Sequence, residues 1–163
     1  MSKPKPLPPL SRLDELFEVR DGWLFNRIGR HKAAAGSRAG TLHKQSGYWF
    51  VGVDYQRYKI HRIIWAMVNR KDPGDLVIDH IDRNKQNNNP ENLRAVTKRL
   101  NALNTDFYRD NSSGARGVCW QARDRRWAAY AKENNRTVCL GYFKEKDDAI
   151  TARQNWEERQ WAE

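Results

Sequence analysis

Four side chains in the middle of the chain have types and spacing that could do hydrolytic chemistry. Asp79 and His80 are adjacent, Asn92 follows His80 by 12 residues, and Asn101 follows it by 21. Hydrolysis of a phosphodiester at neutral pH needs a base for the attacking water and positive charge at the leaving oxygen. A neutral imidazole can act as the base, an effect typically worth ~10²–10⁴ in rate. A divalent ion can supply the positive charge. Mg²⁺ prefers oxygen ligands, keeps several waters, and needs only one or two side chains beyond the phosphate itself. Neighbouring residues on a strand point to opposite faces, so Asp79 and His80 would need a twisted strand end to approach one phosphate. A side-chain oxygen from a following helix would complete such a minimal site.

The residues around this group form a longer pattern. V-I-D-H-I-D-x-N-K-x-N-N-x-P-E-N-L-R, from Val77 to Arg94, resembles the HNH endonucleases. The likeness is to the zinc-free branch found in phage and intron homing enzymes, where asparagine replaces the final histidine. The resemblance implies His80 as general base and Asp79 with Asn101 as ligands of Mg²⁺ or Mn²⁺. It implies Asn92 as the residue that bonds across the loop and fixes the His80 strand. Upstream, A-G-T-L, G-Y-W-F-V-G-V and Y-K-I-H-R-I-I-W-A-M resemble the N-terminal part of the same family. There Arg62 is expected to contact a DNA phosphate bidentately, and His61 to be a packed residue. His31 and His43 are assigned no role.

The last third of the chain carries a second pattern. S-G-A-R-G-V-C-W-Q-A-R-D-R-R-W-A-A-Y-A-K and L-G-Y-F-K-E-K-D-D-A-I-T-A-R resemble the Apetala/ethylene-response-factor DNA-binding domain, a three-stranded sheet backed by a helix. Alternation places Trp127 and Ala129 with Val118, Trp120 and Leu140 on an apolar face that needs a cover. The opposite face would carry Gln121, Arg123, Arg125, Tyr130, Lys132 and Thr137, with Arg116 and Arg136 nearby, for contact with bases and phosphates. Cys119 and Cys139 stand on this face where plant domains carry arginine or tryptophan, a departure from the plant pattern.

These motifs need elements to hold them. A short amphipathic helix is expected at Leu10 to Phe17, then strands and turns from Gly22 to Ile60. GYWFVGVD (Gly47 to Asp54) pairs antiparallel with YKI (Tyr58 to Ile60). HRIIWAMVN (His61 to Asn69) reads as a helix with Ile64, Trp65 and Val68 inward. VIDHID and LRAVT are short strands flanking a polar loop, and KRLNALN is a helix capped by Thr97. A helix starting at Pro90 is the alternative. The final stretch EKDDAITARQNWEERQW is a helix with Ala149, Ala152, Trp156 and Arg159 on one stripe. The expected fold class is α+β: a ββα-metal nuclease core plus a three-stranded antiparallel sheet packed on one helix. The expected organisation is an N-terminal arm at 1–20, an HNH nuclease domain at 21–105, a linker at 106–113 and a DNA-binding domain at 114–163.

Composition agrees with these motifs. The net charge is +10 over 163 residues, which calls for a polyanionic partner, most often nucleic acid. No apolar run approaches the ~20 residues that cross a bilayer, and MSKPKPLPPLSRLDE lacks the apolar core of a signal peptide. Two cysteines are too few for a disulfide framework or an all-cysteine zinc site. The expectation is an intracellular, phage-encoded, metal-dependent endonuclease acting on double-stranded DNA in the host cytoplasm, with no membrane or obligatory protein partner. The competing reading is a catalytically inactive, sequence-specific DNA-binding protein.

Overall fold

The computed structural model describes residues 4–30, 33–104, 113–133 and 136–162. Most of the expected 106–113 linker, and the turn at Asn134 and Asn135, lie outside the described residues. The chain divides into two compact units, Met1–Asn104 and Thr105–Glu163. Both are α+β with small antiparallel sheets. Among the described residues no helix is long and apolar enough to cross a membrane.

In the first unit, α1 (Leu10–Leu16) runs straight into β1 (Phe17–Arg20), which pairs with β2 (Trp23–Asn26). Leu13, Leu16 and Phe17 are buried, so residues from Leu10 onward are part of the core rather than an arm. A three-stranded sheet follows, β3 (Thr41–His43), β4 (Tyr48–Val53) and β5 (Gln56–Lys59). Helix α2 (Ile60–Asn69) packs at its centre, with Ile60, Ile63, Ile64 and Met67 buried at i, i+3, i+4 and i+7. Full burial of each such isoleucine contributes on the order of 1.5–3 kcal/mol. Val68, expected inward, is 48% exposed, because at 100° per residue it falls roughly 80° round the helix from Ile60. The helix stops at Arg70, which takes the left-handed conformation (φ 53°) and bonds back to the Ala66 carbonyl.

The hairpin β6 (Val77–His80) and β7 (Leu93–Val96) pairs Asp79 with Arg94 and His80 with Leu93. Pro90–Asn92 forms one 3₁₀ turn before β7, so the alternative helix from Pro90 is limited to that turn. Helix α3 (Lys98–Asn101) follows, capped by the Thr97 hydroxyl on the Leu100 amide at 3.2 Å, and continues as a 3₁₀ turn through Asn104.

One glycine links the first hairpin to the loop between β6 and β7. Gly22 has φ +74°, and a Cβ there would lie 2.7 Å from the Asn89 backbone nitrogen. Backbone meets backbone at this point, so no side chain can move aside. Gly22→Ala is therefore expected to destabilise the protein by more than ~1 kcal/mol. It should also loosen the loop held between Asp82 and Asn92. Thermal melts paired with amide exchange of residues 82–92 check this. Unchanged melting and unchanged exchange would show that the contact is unimportant.

In the second unit, β8 (Val118–Gln121), β9 (Arg126–Glu133) and β10 (Arg136–Phe143) form an antiparallel sheet in that order. Helix α4 (Lys146–Ala162) packs on it, opening with Asp147 and Asp148 where negative charge suits the helix dipole. Val118, Ala129 and Ala149 form the centre of the packing, with Trp127, Leu140 and Ala152 at its edge. The buried stripe of α4 continues through Arg153 and Trp156, while Arg159 is exposed. Trp120, expected on the covered face, is 46% exposed and lies edge-on to Trp127 at 5.3 Å. A bulge shifts the register between Cys139 and Gly141, so Cys139 and Tyr142 both point away from the helix.

Candidate active site

The polar loop from Ile81 to Asn92 is built by its own side chains, which take the place of a backbone ladder. Asp82 Oδ1 accepts from the Asn84 amide at 2.8 Å, and Asp82 Oδ2 accepts from Asn87 Nδ2 at 2.7 Å. Asn84 and Asn87 repeat this turn onto Gln86 and Asn89. Asn92 closes the loop: its Oδ1 accepts from the Asp82 amide at 3.0 Å, and its Nδ2 donates to Asp82 Oδ1 at 2.9 Å and to the Asn87 carbonyl at 2.8 Å. Its own carbonyl accepts from the Ile81 amide. Desolvation works against the charge of Asp82, but the bonds from Asn87, Asn92 and Asn84, with nearby His80, hold its carboxyl below the usual value.

His80 is 4% exposed and its Nε2 lies 3.1 Å from Asn88 Oδ1. Asn88 Nδ2 donates to the Gln86 carbonyl, which fixes the amide so that its oxygen faces the imidazole. With the amide so oriented, the bond network assigns the proton to Nε2 and the lone pair to Nδ1. Burial lowers the His80 pKa, with Lys59 adding to the effect; the Asn88 bond, Asp82 and Asp79 oppose it. The ring stands edge-on to His61 at 4.9 Å and lies 6.1 Å from the Tyr48 ring.

Asp79 faces a different set of groups. Arg94 donates Nε and Nη2 to Asp79 Oδ2, both at 2.9 Å. Asn104 Nδ2 donates to the same carboxylate at 2.9 Å and to the His80 carbonyl at 2.7 Å. Asn104 Oδ1 in turn accepts from Arg83 Nε at 3.2 Å. The side chain meeting Asp79 from the short helix is thus Asn104, three residues beyond the expected Asn101. Asn101 lies in α3 with its amide bonded to the Thr97 carbonyl. Asn88, Arg94, Asn104 and Asp82 were not singled out by the sequence. Arg94 becomes legible only once the hairpin register is known.

Arg62 does not have the expected role. It is 8% exposed, and its guanidinium donates to the Leu76 carbonyl at 2.8 Å, to the Gly74 carbonyl at 2.6 Å and to Asp72 at 3.4 Å. It ties α2 to the turn leading into β6, which leaves no fork free for a phosphate. His61 is buried as expected, and burial holds its pKa well below the ordinary histidine value, with the charges of His80, Lys59 and Arg62 adding to the effect.

Both buried imidazoles bind a proton more readily in the unfolded chain than in the folded one. Their stabilising contribution is full above the ordinary histidine value of 6.5 and is lost as pH falls through their lower folded values. The melting temperature should therefore fall between pH 7.5 and 5, and His61→Gln should flatten that fall. A profile unaffected by the substitution would contradict the assignment.

In the second unit, Gln121, Tyr130, Lys132 and Thr137 share the face away from α4, as the register pairs Gln121 with Arg126, Tyr130 with Cys139 and Lys132 with Thr137. Arg126 and Tyr142 join this face. Arg126 has the same strand parity as Tyr130, and Tyr142 arrives there through the bulge. Arg123, Arg125, Lys132 and Arg136 are exposed and Arg116 is half-buried. Arg125 sits in the β8–β9 turn with φ +47°.

A family model for HNH endonucleases matches residues 58–103, which contain Asp79, His80, Asn92 and Asn101. Residues 58–103 thus form an HNH endonuclease domain, of a family of DNA-cleaving hydrolases that generally depend on a divalent metal. A protein of Acanthamoeba polyphaga mimivirus named as an uncharacterized HNH endonuclease is 31% identical over 119 residues, 66% of this chain and 61% of that protein. Protein 3.8 of Escherichia phage T7 is 31% identical over 85 residues, 50% of this chain and 70% of that protein. The match thus spans less than two thirds of the mimivirus relative. No solved structure matches the chain.

Proposed function

We propose that the chain hydrolyses phosphodiester bonds of double-stranded DNA at the Asp79–His80 hairpin, using Mg²⁺ or Mn²⁺. The observation that carries this reading is the buried imidazole of His80, anchored through Nε2 to Asn88 and adjacent in sequence to the carboxylate of Asp79. His80 Nδ1 takes the proton of a water, and the water oxygen attacks phosphorus in line with the 3′-oxygen. The P–O3′ bond breaks, the departing 3′-oxygen takes a proton from a second water, and 5′-phosphate and 3′-hydroxyl ends are left. Asn88 holds the tautomer and Asn92 holds the loop that carries Asn88.

Asp79 and the nearby asparagines are oxygen donors of the type a hard cation takes, and in this arrangement Arg94 and Asn104 occupy the Asp79 oxygens. Among the described residues no three His, Cys, Asp or Glu side chains gather to hold a metal. An ion here would therefore take Asp79, an asparagine oxygen, water and the substrate phosphate. Asn101 is the family's asparagine by spacing, and Asn104 is the one already against Asp79; a turned-over Asn104 amide would present its oxygen. When bound, a divalent ion supplies positive charge at the phosphate and the departing 3′-oxygen.

The C-terminal unit reads as the DNA-binding module. Its sheet-and-helix arrangement and polar outer face support the likeness to the ethylene-response-factor domain, with Arg116, Gln121, Arg123, Arg125, Tyr130, Lys132, Arg136 and Thr137 as contacts. The viral and phage sources of the relatives support a phage-encoded enzyme, and a homing-type role in a host cytoplasm is part of this reading. Mapping cleavage ends for the full chain against residues 1–104, at two salt concentrations, tests the division of labour. The shorter chain should still cut, with relaxed site choice and a shallower salt dependence. The same site pattern and the same salt dependence would show that the C-terminal unit does not guide cleavage.

A further inference from the structure

Two lysines beside His80 are held close to one aromatic ring. Lys59, the residue before α2, has its Nζ 4.0 Å from the centre of the Tyr48 ring, and Lys85, from the β6–β7 loop, has its Nζ 5.0 Å from the same centre. Both lysines are solvent-accessible. Lys85 donates to the Ser46 carbonyl at 3.3 Å, and its stem runs past Gly47, where an added Cβ would lie 3.5 Å from Lys85 Cδ. The loop that organises the His80 side thus also delivers a cation to the β3–β4 turn.

This arrangement works against itself electrostatically. Partial burial, then the charges of Lys85 and Arg62, lower the pKa of Lys59, and no carboxylate contributes to offset them. Among the described residues, no ion pair joins either lysine to an acidic side chain. Like charges brought together on separate elements, with no counter-ion between them, are relieved by an anion that accepts from both. The Tyr48 ring supports the pair through its π-face and also lies 5.1 Å from the His61 ring and 6.1 Å from the His80 ring. An anion seated there would be beside the imidazole that the proposed reaction uses.

We propose that Lys59 and Lys85, with Tyr48 as their platform, form the docking site for a DNA backbone phosphate at the cleavage position. Each ammonium has spare N–H donors, and a phosphate with two non-bridging oxygens can accept from both at once. The site rests on the nuclease reading for its substrate, but its signature is binding, which needs neither metal nor turnover.

The test is the salt dependence of duplex binding by the full chain in EDTA, measured by fluorescence anisotropy with a labelled oligonucleotide. Loss of one phosphate contact should reduce the slope of log K against log salt by about 0.9. Lys59→Gln and Lys85→Gln should each do so, and the double variant should lose about twice that. Lys59→Arg should keep the slope, and Lys71→Gln, an exposed lysine beyond α2, should leave it unchanged. Should Lys59→Gln fail to fold, Lys85→Gln in the loop decides the matter alone. Unchanged slopes in folded Lys59→Gln and Lys85→Gln proteins would overturn the site. A wild-type chain that fails to cut DNA with Mg²⁺, while these slopes still fall, would overturn the nuclease reading and leave the phosphate site standing.

Discussion

Replacing His80 by alanine should leave DNA binding near its wild-type strength and reduce cleavage by about 10²–10⁴, the range of a general base. The separation is expected because His80 is buried and contacts Asn88, His61 and Tyr48 rather than an open surface. Asn88→Ala should show a smaller loss with binding kept, since it frees Nε2 and lets the imidazole exchange tautomers. Asn88→Asp is a sharper comparison. Its carboxylate still accepts from Nε2, but it favours the charged imidazolium and should push the acid limb of the rate profile to higher pH. Single-turnover rates across pH, with affinity measured in parallel, check all three variants. Cleavage near wild type in His80→Ala would remove the histidine from the reaction.

Asp79→Ala should be comparably damaging, by about 10²–10³ if it removes one electrostatic stabiliser of the transition state. It should also abolish any rise in melting temperature that Mg²⁺ or Mn²⁺ gives the wild type, a readout independent of turnover. The neighbouring asparagines separate two accounts of the site. Asn101→Asp keeps an oxygen and adds charge, so it should cost less than Asp79→Ala. Asn104→Ala removes the amide that bridges Asp79 and the His80 carbonyl. If Asn104 is the working partner, its loss should exceed that of Asn101→Ala in both cleavage and metal-induced stabilisation. The reverse order would return the role to Asn101 and the family spacing.

The elements with strong local signals were legible. The stop after Asn69, the Thr97 cap and the strand character of VIDH and LRAV all follow from residue type and period, while the strand expected to reach Asp82 ends at His80. The helix faces were legible only to within a fraction of a turn. Val68 and Arg159 were placed inward, yet each lies about 80° from the buried stripe, which is where Met67 and Arg153 belong. The site was legible as a set of residue types and not as a network. Asn88, Asn104 and Arg94 depend on the loop's internal bonds and the hairpin register, and neither leaves a period in the sequence. Arg62 had the right chemistry for phosphate, but the carbonyls of Gly74 and Leu76 already take its fork. On the C-terminal sheet, simple alternation worked until the bulge after Cys139 carried Tyr142 to the polar face.

Asp79 and His80 are proposed to support metal-dependent cleavage of duplex DNA. The most direct measurement is the conversion of supercoiled plasmid to nicked or linear form by the purified full chain, with Mg²⁺ and with EDTA. His80→Ala prepared in parallel guards against a contaminating nuclease. The expected result is conversion by the wild type with Mg²⁺ and intact plasmid in the other reactions. Conversion that persists in EDTA, or that His80→Ala matches, would contradict it.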